Sequence, residues 1–173
     1  MNQSTHTFNQ MEGIHHRKPG TVGAALMLDD VYAQFIADGI HLHPAIVSMI
    51  VRLKGPEHAV LVTDAIRGAG MPNGGYELGG QLIVVKDGAV RLADGTLAGS
   101  TLAMDLGVRN IASFTGRPLR ECIRMATLTP ARSIGVSNRK GSLEPGKDAD
   151  IVLLTSGLKV AATMVMGKLA YEA

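Results

Sequence analysis

Short apolar runs alternate along most of the chain with stretches in which apolar residues recur every three or four positions. Residues 59–63 are continuously apolar up to a threonine, a pattern typical of a parallel strand buried on both faces. A second strand is predicted at 32–37, and a helix at 45–54 with Pro44 in its first turn and Gly55-Pro56 at its end. This alternation predicts an α/β fold.

The middle of the chain combines a glycine-rich stretch, a hairpin signal and further helical periods. Residues 68–80 are rich in glycine, and the runs 81–85 and 89–92 flank Lys86-Asp87-Gly88, which indicates a β-hairpin. Helical patterns follow at 102–114, at 118–125 and from residue 129 onward. Ser100 or Thr101 is the predicted N-cap of the first of these helices.

The last part of the chain has a different pattern. Residues 141–150 are rich in turn formers, and short strands are predicted at 151–154, 160–165 and 169–171. We therefore expect a boundary near residue 138 between an α/β part and a β-rich tail.

Composition narrows the class of protein. Of 173 residues, 46% are hydrophobic and 18% charged, which excludes a disordered chain. Aromatic residues make up 3%, and the net charge of +2 is too balanced for a nucleic-acid or membrane-surface protein. A lone cysteine, Cys122, provides no disulfide framework. With no apolar leader and no run of about 18 apolar residues, the sequence predicts a cytoplasmic protein.

Polar residues follow the predicted strands at several points: His6, Asp38, His41 and Asp64. In barrels of parallel strands, active sites are built from the carboxyl ends of the strands. A carboxylate after a run as apolar as 59–63 is costly to bury without a partner, so Asp64 is a candidate acid/base or metal-linked group. A cap for the following loop is an equally good interpretation.

Each of the other candidate residues also has an ordinary structural interpretation. His6 is either a metal ligand or an ordinary polar residue near a terminus. His41 and His43 would face the same side of a strand, which is weak evidence for metal. Arg17, in the cationic loop 15–18, suits a phosphate or carboxylate, or lies on a solvated surface. Residues 99–101 either bind an anion at a helix start or only cap it.

Several motifs taken in order resemble one family. The sequence is similar to the second half of the N-acetylglucosamine-6-phosphate deacetylases, a family of the amidohydrolase superfamily of metal-dependent (β/α)8 barrels. The segments that carry this resemblance are 5–11, 17–20, 36–41, 61–65 and 95–100. Residues 124–132 and 141–150 resemble the closing segment of the whole superfamily.

The resemblance implies roles for individual residues. His6 matches a ligand of the catalytic divalent metal, zinc or iron, and Asp64 matches the catalytic acid/base. Arg17, which in the family tends to come from the neighbouring subunit, and His41 match groups that hold the sugar phosphate. Substrate contacts are implied for Asn9, Gln10 and a loop that closes over the acetamido sugar, comprising Leu97, Ala98, Gly99 and Ser100.

The implied fold is a partial (β/α)8 barrel over 1–138, with a hairpin insertion near 81–92, and the C-terminal part of a small β-sandwich over 139–173. The implied reaction is metal-assisted hydrolysis of the N-acetyl group, giving acetate and glucosamine 6-phosphate. The implied partners are an amino-sugar phosphate and either a second copy of the chain or a complementing N-terminal half, with no nucleic acid and no membrane.

The sequence departs from the family in two ways. The family has Leu and Ala where Thr7 and Gln10 stand, and its upstream metal ligands have no match here, so we expect the chain alone to be inactive. The alternatives are a non-catalytic fragment or subunit of a split enzyme, and another amidohydrolase such as a dihydroorotase-like or adenine-deaminase-like enzyme. Arg17 and His41 argue against the last, because those substrates carry no phosphate.

Overall fold

The computed structural model describes residues 2–173, and this part of the chain contains ten strands and five helices. The strands are β1 (Gln3–Ser4), β2 (Tyr32–Phe35), β3 (Ala59–Leu61), β4 (Gly74–Leu78), β5 (Gln81–Lys86), β6 (Ala89–Leu92), β7 (Leu97–Ser100), β8 (Ile151–Leu154), β9 (Val160–Val165) and β10 (Lys168–Glu172). The helices are α1 (Gly20–Met27), α2 (Pro44–His58), α3 (Met104–Thr115), α4 (Leu119–Ala126) and α5 (Leu128–Ser133).

The three strands β1, β2 and β3 form a parallel sheet in that order, with Phe35 in register with Leu61. Helix α1 connects the first two strands and α2 the second two, which gives the alternation that the pattern predicted. All of β3 is buried, as expected for a parallel strand covered on both faces. Strands β2 and β3 are both shorter than predicted, because β2 ends at Phe35 and β3 ends at Leu61. The predicted α/β class is confirmed.

The main core lies between this sheet and the helices α2, α3 and α4, and its largest members are fully buried: Phe35, Ile50, Leu61, Ile111 and Met125. Pro44 begins α2 as predicted. The helix bends at Gly55 (φ +62°) and adds a last turn to His58 instead of ending there. Lys54 is buried in this region, and burial lowers the pKa of its ammonium, which donates to the Leu28 carbonyl at 2.5 Å.

A second, antiparallel sheet has the order β4-β5-β6-β7 and its own small core of Ile83, Val85 and Val90. The predicted hairpin is confirmed, because Asp87 and Gly88 both have positive φ (51° and 82°), as a type I′ turn requires. The glycine-rich stretch contains strand β4, for which the sequence made no prediction. The segment Leu97–Ser100, expected to be a loop, is strand β7, paired with β6.

Neither Ser100 nor Thr101 caps the following helix, so that prediction was also wrong. Ala103 occupies the N-cap of α3, and no side chain bonds there. Ser100 lies in β7, where its hydroxyl donates to the Thr63 carbonyl and accepts from the Leu102 N–H at 3.0 Å. Its side chain therefore joins β7 to the end of β3, and residues 99–101 are not a helix start that could hold an anion.

The tail forms a third sheet, β10-β9-β8, which is antiparallel and confirms the three strands predicted there. It is tied to the helices by the Arg109 guanidinium, which donates to the Leu158 carbonyl at 2.8 Å. The boundary near residue 138 stays a prediction.

None of the helices within residues 2–173 combines the length and the apolar character needed to cross a lipid bilayer.

Candidate active site

Three predicted site residues follow the carboxyl ends of the three parallel strands. His6 comes two residues after β1, Asp38 three after β2 and Asp64 three after β3. The segments that carry them stay attached to β2, because the Thr7 N–H donates to the Gln34 carbonyl at 2.8 Å and the Val62 N–H to the Phe35 carbonyl at 3.0 Å. Parallel strands end at the same edge of a sheet, so the fold brings these residues to one edge.

His6 lies in a tight turn with φ +32°. The Asn9 backbone N–H and its side-chain amide both donate to the His6 carbonyl, at 2.9 and 3.2 Å. The Nδ1 atom of His6 is buried and has no hydrogen-bond partner within residues 2–173. A buried polar atom without a partner is costly unless a ligand satisfies it. The ring is thus suited to bind a metal ion, for which imidazole is the commonest protein ligand.

The two residues that depart from the family pattern lie in different surroundings. Thr7 is fully buried, and its hydroxyl donates to the Ser4 hydroxyl at 3.1 Å, so it packs beneath the turn. Gln10 is exposed and has φ +55°, a conformation that is uncommon for a residue with a side chain. Of the two, only Gln10 is placed where it can meet a ligand from solvent.

Asp38 and His41 form a buried pair after β2. The Asp38 Oδ2 lies 2.6 Å from the His41 Nδ1, and the two side chains are 7% and 5% exposed. The Asp38 Oδ1 accepts the backbone N–H groups of Ile40 and His41, both at 2.8 Å. Burial alone raises the pKa of Asp38, but the hydrogen bonds from the His41 ring and from these N–H groups together hold it below its usual value.

This lowered pKa predicts a pH-dependent stability. The ionised Asp38 stabilises the folded chain above its ordinary pKa of 3.8, and this contribution disappears as the pH falls through the lower value. We expect Asp38→Asn to reduce the free energy of unfolding more at pH 6 than at pH 3. Urea unfolding of the full chain at both values measures the difference, and a gap that is constant or grows toward acid contradicts the assignment.

Asp64 is exposed, so the burial cost that singled it out in the sequence does not apply. Its backbone is in the left-handed region (φ +51°), and its carbonyl accepts the Ser100 N–H at 2.8 Å. The Ile66 N–H donates to the Ser100 carbonyl at 2.9 Å, which completes a parallel bridge between β7 and the residues after β3. The second sheet therefore holds the Asp64 backbone through this bridge, while the Asp64 side chain is exposed to solvent.

Arg17 is exposed. It lies on an exposed turn closed by the His15 and Lys18 backbones, and its guanidinium lies 2.7 Å from the His16 Nε2. No hydrogen bond or ion pair joins Arg17 to His41 within the part of the chain that the structure describes.

His43 is not on a strand beside His41, so the predicted same-face pair was wrong. Its Nδ1 instead accepts the Ala45 N–H at 3.2 Å at the start of α2, which explains this histidine as a helix cap.

A complete metal site is not formed by the residues that the structure describes. Within residues 2–173, no three His, Cys, Asp or Glu side chains lie close enough together to hold one ion. A catalytic zinc takes three protein ligands, so His6 fits as one ligand of a site whose other ligands it does not provide.

Two supporting contacts were not found from the sequence. The ion pair of Asp38 with His41 has a weak local signal, a three-residue spacing just after a strand. The Asn110 side chain on α3 donates to the Ala37 carbonyl at 2.8 Å and holds the end of β2 in place. These two residues are 73 positions apart, so no local pattern predicts the contact.

Polar side chains at the carboxyl ends of parallel strands are the usual position of an active site in parallel-strand barrels. The chain belongs to the amidohydrolase family, whose sequence profile matches residues 2–170. It is 48% identical over 165 residues to an Escherichia coli K12 protein whose name provisionally assigns it as an N-acetylgalactosamine-6-phosphate deacetylase. That match covers 95% of this chain and 98% of the K12 protein.

Two further relatives are longer than this chain. The N-acetylgalactosamine-6-phosphate deacetylase of Escherichia coli O157:H7 is 48% identical over 165 residues, which cover 95% of this chain and 44% of that protein. The crystal structure of the N-acetylglucosamine-6-phosphate deacetylase of Thermotoga maritima superposes with a TM-score of 0.94 at 38% identity, over 99% of this chain and 47% of that one. The chain thus spans less than half the length of these two proteins.

Proposed function

We propose that this chain supplies the acid/base, phosphate-binding and part of the metal-binding machinery of a deacetylase of N-acetylhexosamine 6-phosphates, with N-acetylglucosamine 6-phosphate as the substrate. The observation that carries the proposal is the placement of the unsatisfied His6 ring, the Asp38–His41 pair and Asp64 at one edge of the parallel sheet. Family membership and the names of the relatives support the class of reaction.

Asp64 performs the proton transfers in this proposal. Its exposed carboxylate takes a proton from the water that attacks the acetyl carbonyl, and returns it to the amine nitrogen as the C–N bond breaks. The products are acetate and the free amino sugar phosphate, and the carboxylate is regenerated. The hydrogen bond from the Ser100 N–H to the Asp64 carbonyl fixes the backbone that carries this carboxylate.

His6 contributes one metal ligand in this proposal. When a divalent metal is bound there, it supplies Lewis-acid polarisation of the acetyl carbonyl. Asn9 fixes the turn around His6 through its two bonds to the His6 carbonyl, and so holds the imidazole toward the site. The remaining ligands then come from a further polypeptide segment, for which the greater length of two relatives gives room.

Arg17 binds the phosphate of a substrate in a neighbouring copy of the chain. Its position on an exposed turn, with its guanidinium next to His16, supports a contact outside its own site. The three parallel strands with α1 and α2 form part of a (β/α)8 barrel, and residues 139–173 form part of a β-sandwich in the same proposal.

N-acetylgalactosamine 6-phosphate is the second candidate substrate. Two relatives that are 48% identical carry this sugar in their names, whereas the solved N-acetylglucosamine-6-phosphate deacetylase is 38% identical. The two sugars differ only in the configuration at C4. A direct comparison of their kcat/KM values separates the two candidates.

A chimera tests the proposal. The segment of the Escherichia coli O157:H7 relative that aligns with this chain is replaced by this chain, and acetate release from both N-acetylhexosamine 6-phosphates is measured with added zinc or iron(II). We expect turnover by the chimera and none by the relative's remaining segment alone. An intact, folded chimera that binds metal but releases no acetate from either sugar contradicts the proposal.

A further inference from the structure

We infer that Asp38 is a positioning residue that directs the Nε2 atom of His41 at the phosphate of the substrate; this inference rests on the proposed function. Nothing in the family match or in the names of the relatives assigns a role to Asp38. The case begins with the burial of both partners, at 7% and 5% exposure, and with their short contact of 2.6 Å.

Both carboxylate oxygens of Asp38 are held by contacts with residues of its own turn. Oδ1 accepts the N–H groups of Ile40 and His41 at 2.8 Å, and Oδ2 faces the His41 Nδ1. A carboxylate held by three donors keeps its orientation and stays ionised. Because an ionised carboxylate only accepts hydrogen bonds, the hydrogen between the two side chains belongs to the His41 Nδ1.

The ring of His41 therefore has one nitrogen left for a ligand. Nδ1 is committed to Asp38, so only Nε2 can meet a group outside the turn. The N–H groups at the start of α2 do not compete for an anion here, since those of Ala45, Ile46 and Val47 already bond to His43.

The remaining nitrogen suits a phosphate ligand. Nε2 lies on the side of the ring away from Nδ1, and a hydrogen bond between Nε2 and a phosphate group is charge-assisted. Such bonds are about twice as strong as neutral ones. The buried contact with Asp38 holds the ring so that Nε2 keeps this direction.

Asp38→Asn separates positioning from folding. The Asn carbonyl can still accept the Ile40 and His41 N–H groups, so the turn is preserved, but the amide now donates toward Nδ1. A donor there requires Nδ1 to be bare, which moves the ring hydrogen to Nε2 and changes the hydrogen-bonding group that Nε2 presents to the phosphate. Glu121→Gln is the matched control. Glu121 lies on α4 and forms a different ion pair, with Arg117, so this substitution removes a carboxylate elsewhere in the chain.

The first measurement is the tautomer of His41 by imidazole nitrogen NMR of the full 173-residue chain, assigned with His41→Gln. We expect the Nδ1–H form in the wild type and in Glu121→Gln, and the Nε2–H form in Asp38→Asn. An Nε2–H form in the wild type overturns the inference. This measurement needs no deacetylase activity, so it decides the inference even where the wild-type chimera releases no acetate.

The second measurement uses the chimera. Asp38→Asn is expected to raise KM for the phosphorylated sugar about 10-fold with kcat changed less than about 3-fold, since the lost interaction is remote from the amide. The same substitution should leave kcat/KM for unphosphorylated N-acetylglucosamine unchanged. Equal losses on both substrates, or an unchanged KM, overturn the inference and indicate a purely structural role.

Discussion

Asp64→Asn lowers kcat of the chimera by about 10²–10⁴-fold, the range that general acid–base catalysis contributes. The amide cannot take a proton from water, and it has none to return to the leaving amine. The substitution is mild for the backbone, because Asp64 has φ +51° and Asn is among the residues that tolerate the left-handed region best. Metal content and KM should change little, so steady-state kinetics combined with metal analysis isolates the chemical step.

Asp87→Asn is the control for this experiment. Asp87 is also exposed and has the same φ of 51°, but it lies in the turn of the β5–β6 hairpin and does not follow a strand of the parallel sheet. Its replacement should leave kcat unchanged. An Asp64→Asn chimera that retains wild-type kcat would show that another group transfers the proton.

Gly99→Ala damages both stability and activity. A Cβ at this position would lie 2.5 Å from the Ile66 Cγ2 and 3.1 Å from the Asp64 carbonyl oxygen, and the backbone has φ +74°. The left-handed conformation costs about 1–2 kcal/mol with a side chain, and overpacking adds about 1–3 kcal/mol. Relief of the clash requires the Asp64 segment to move, and a shift of about 1 Å costs up to about 10²-fold in rate.

Gly95→Ala is the matched comparison. Gly95 also has a positive φ, of 89°, but nothing lies within 4 Å of the added carbon. It should lose only the conformational part of the stability and none of the activity. Urea unfolding of the chain and kcat of the chimera measure the two effects, and equal results for both glycine variants would show that the contact between β7 and Asp64 does not position the carboxylate.

Local patterns were reliable where one residue type or one period decides the structure. The continuous apolar run identified β3, Pro44 identified the start of α2, and Asp87-Gly88 identified the hairpin turn. Local patterns failed where the structure depends on hydrogen bonds to backbone groups that are distant in the sequence. Strand β4 was not predicted, because its glycine-rich sequence is stabilised as a strand by pairing with β5. Ser100 was predicted as a cap because its actual partner, the Thr63 carbonyl, is 37 residues away.

The candidate site likewise combines features that the sequence predicted with features that it did not. His6, His41 and Asp64 were predicted as site residues because polar residues directly after apolar strands stand out, and because the motifs around them resemble a family. The reason first given for Asp64 was wrong, since its side chain is exposed. The pairing of Asp38 with His41 needs a turn that folds both side chains inward, and its short spacing alone did not reveal it.

The sequence by itself determined the α/β class, the parallel strand at 59–61, the tail strands and the residue types available for chemistry, because these depend on hydrophobic period, turn chemistry and composition. Only the tertiary structure decided that β7 supports the Asp64 backbone, that His6 keeps an unsatisfied nitrogen within residues 2–173 and that the Arg17 guanidinium lies next to His16. Those outcomes depend on which backbone groups meet across long sequence separations, and such meetings are fixed by packing the whole chain rather than by any local preference.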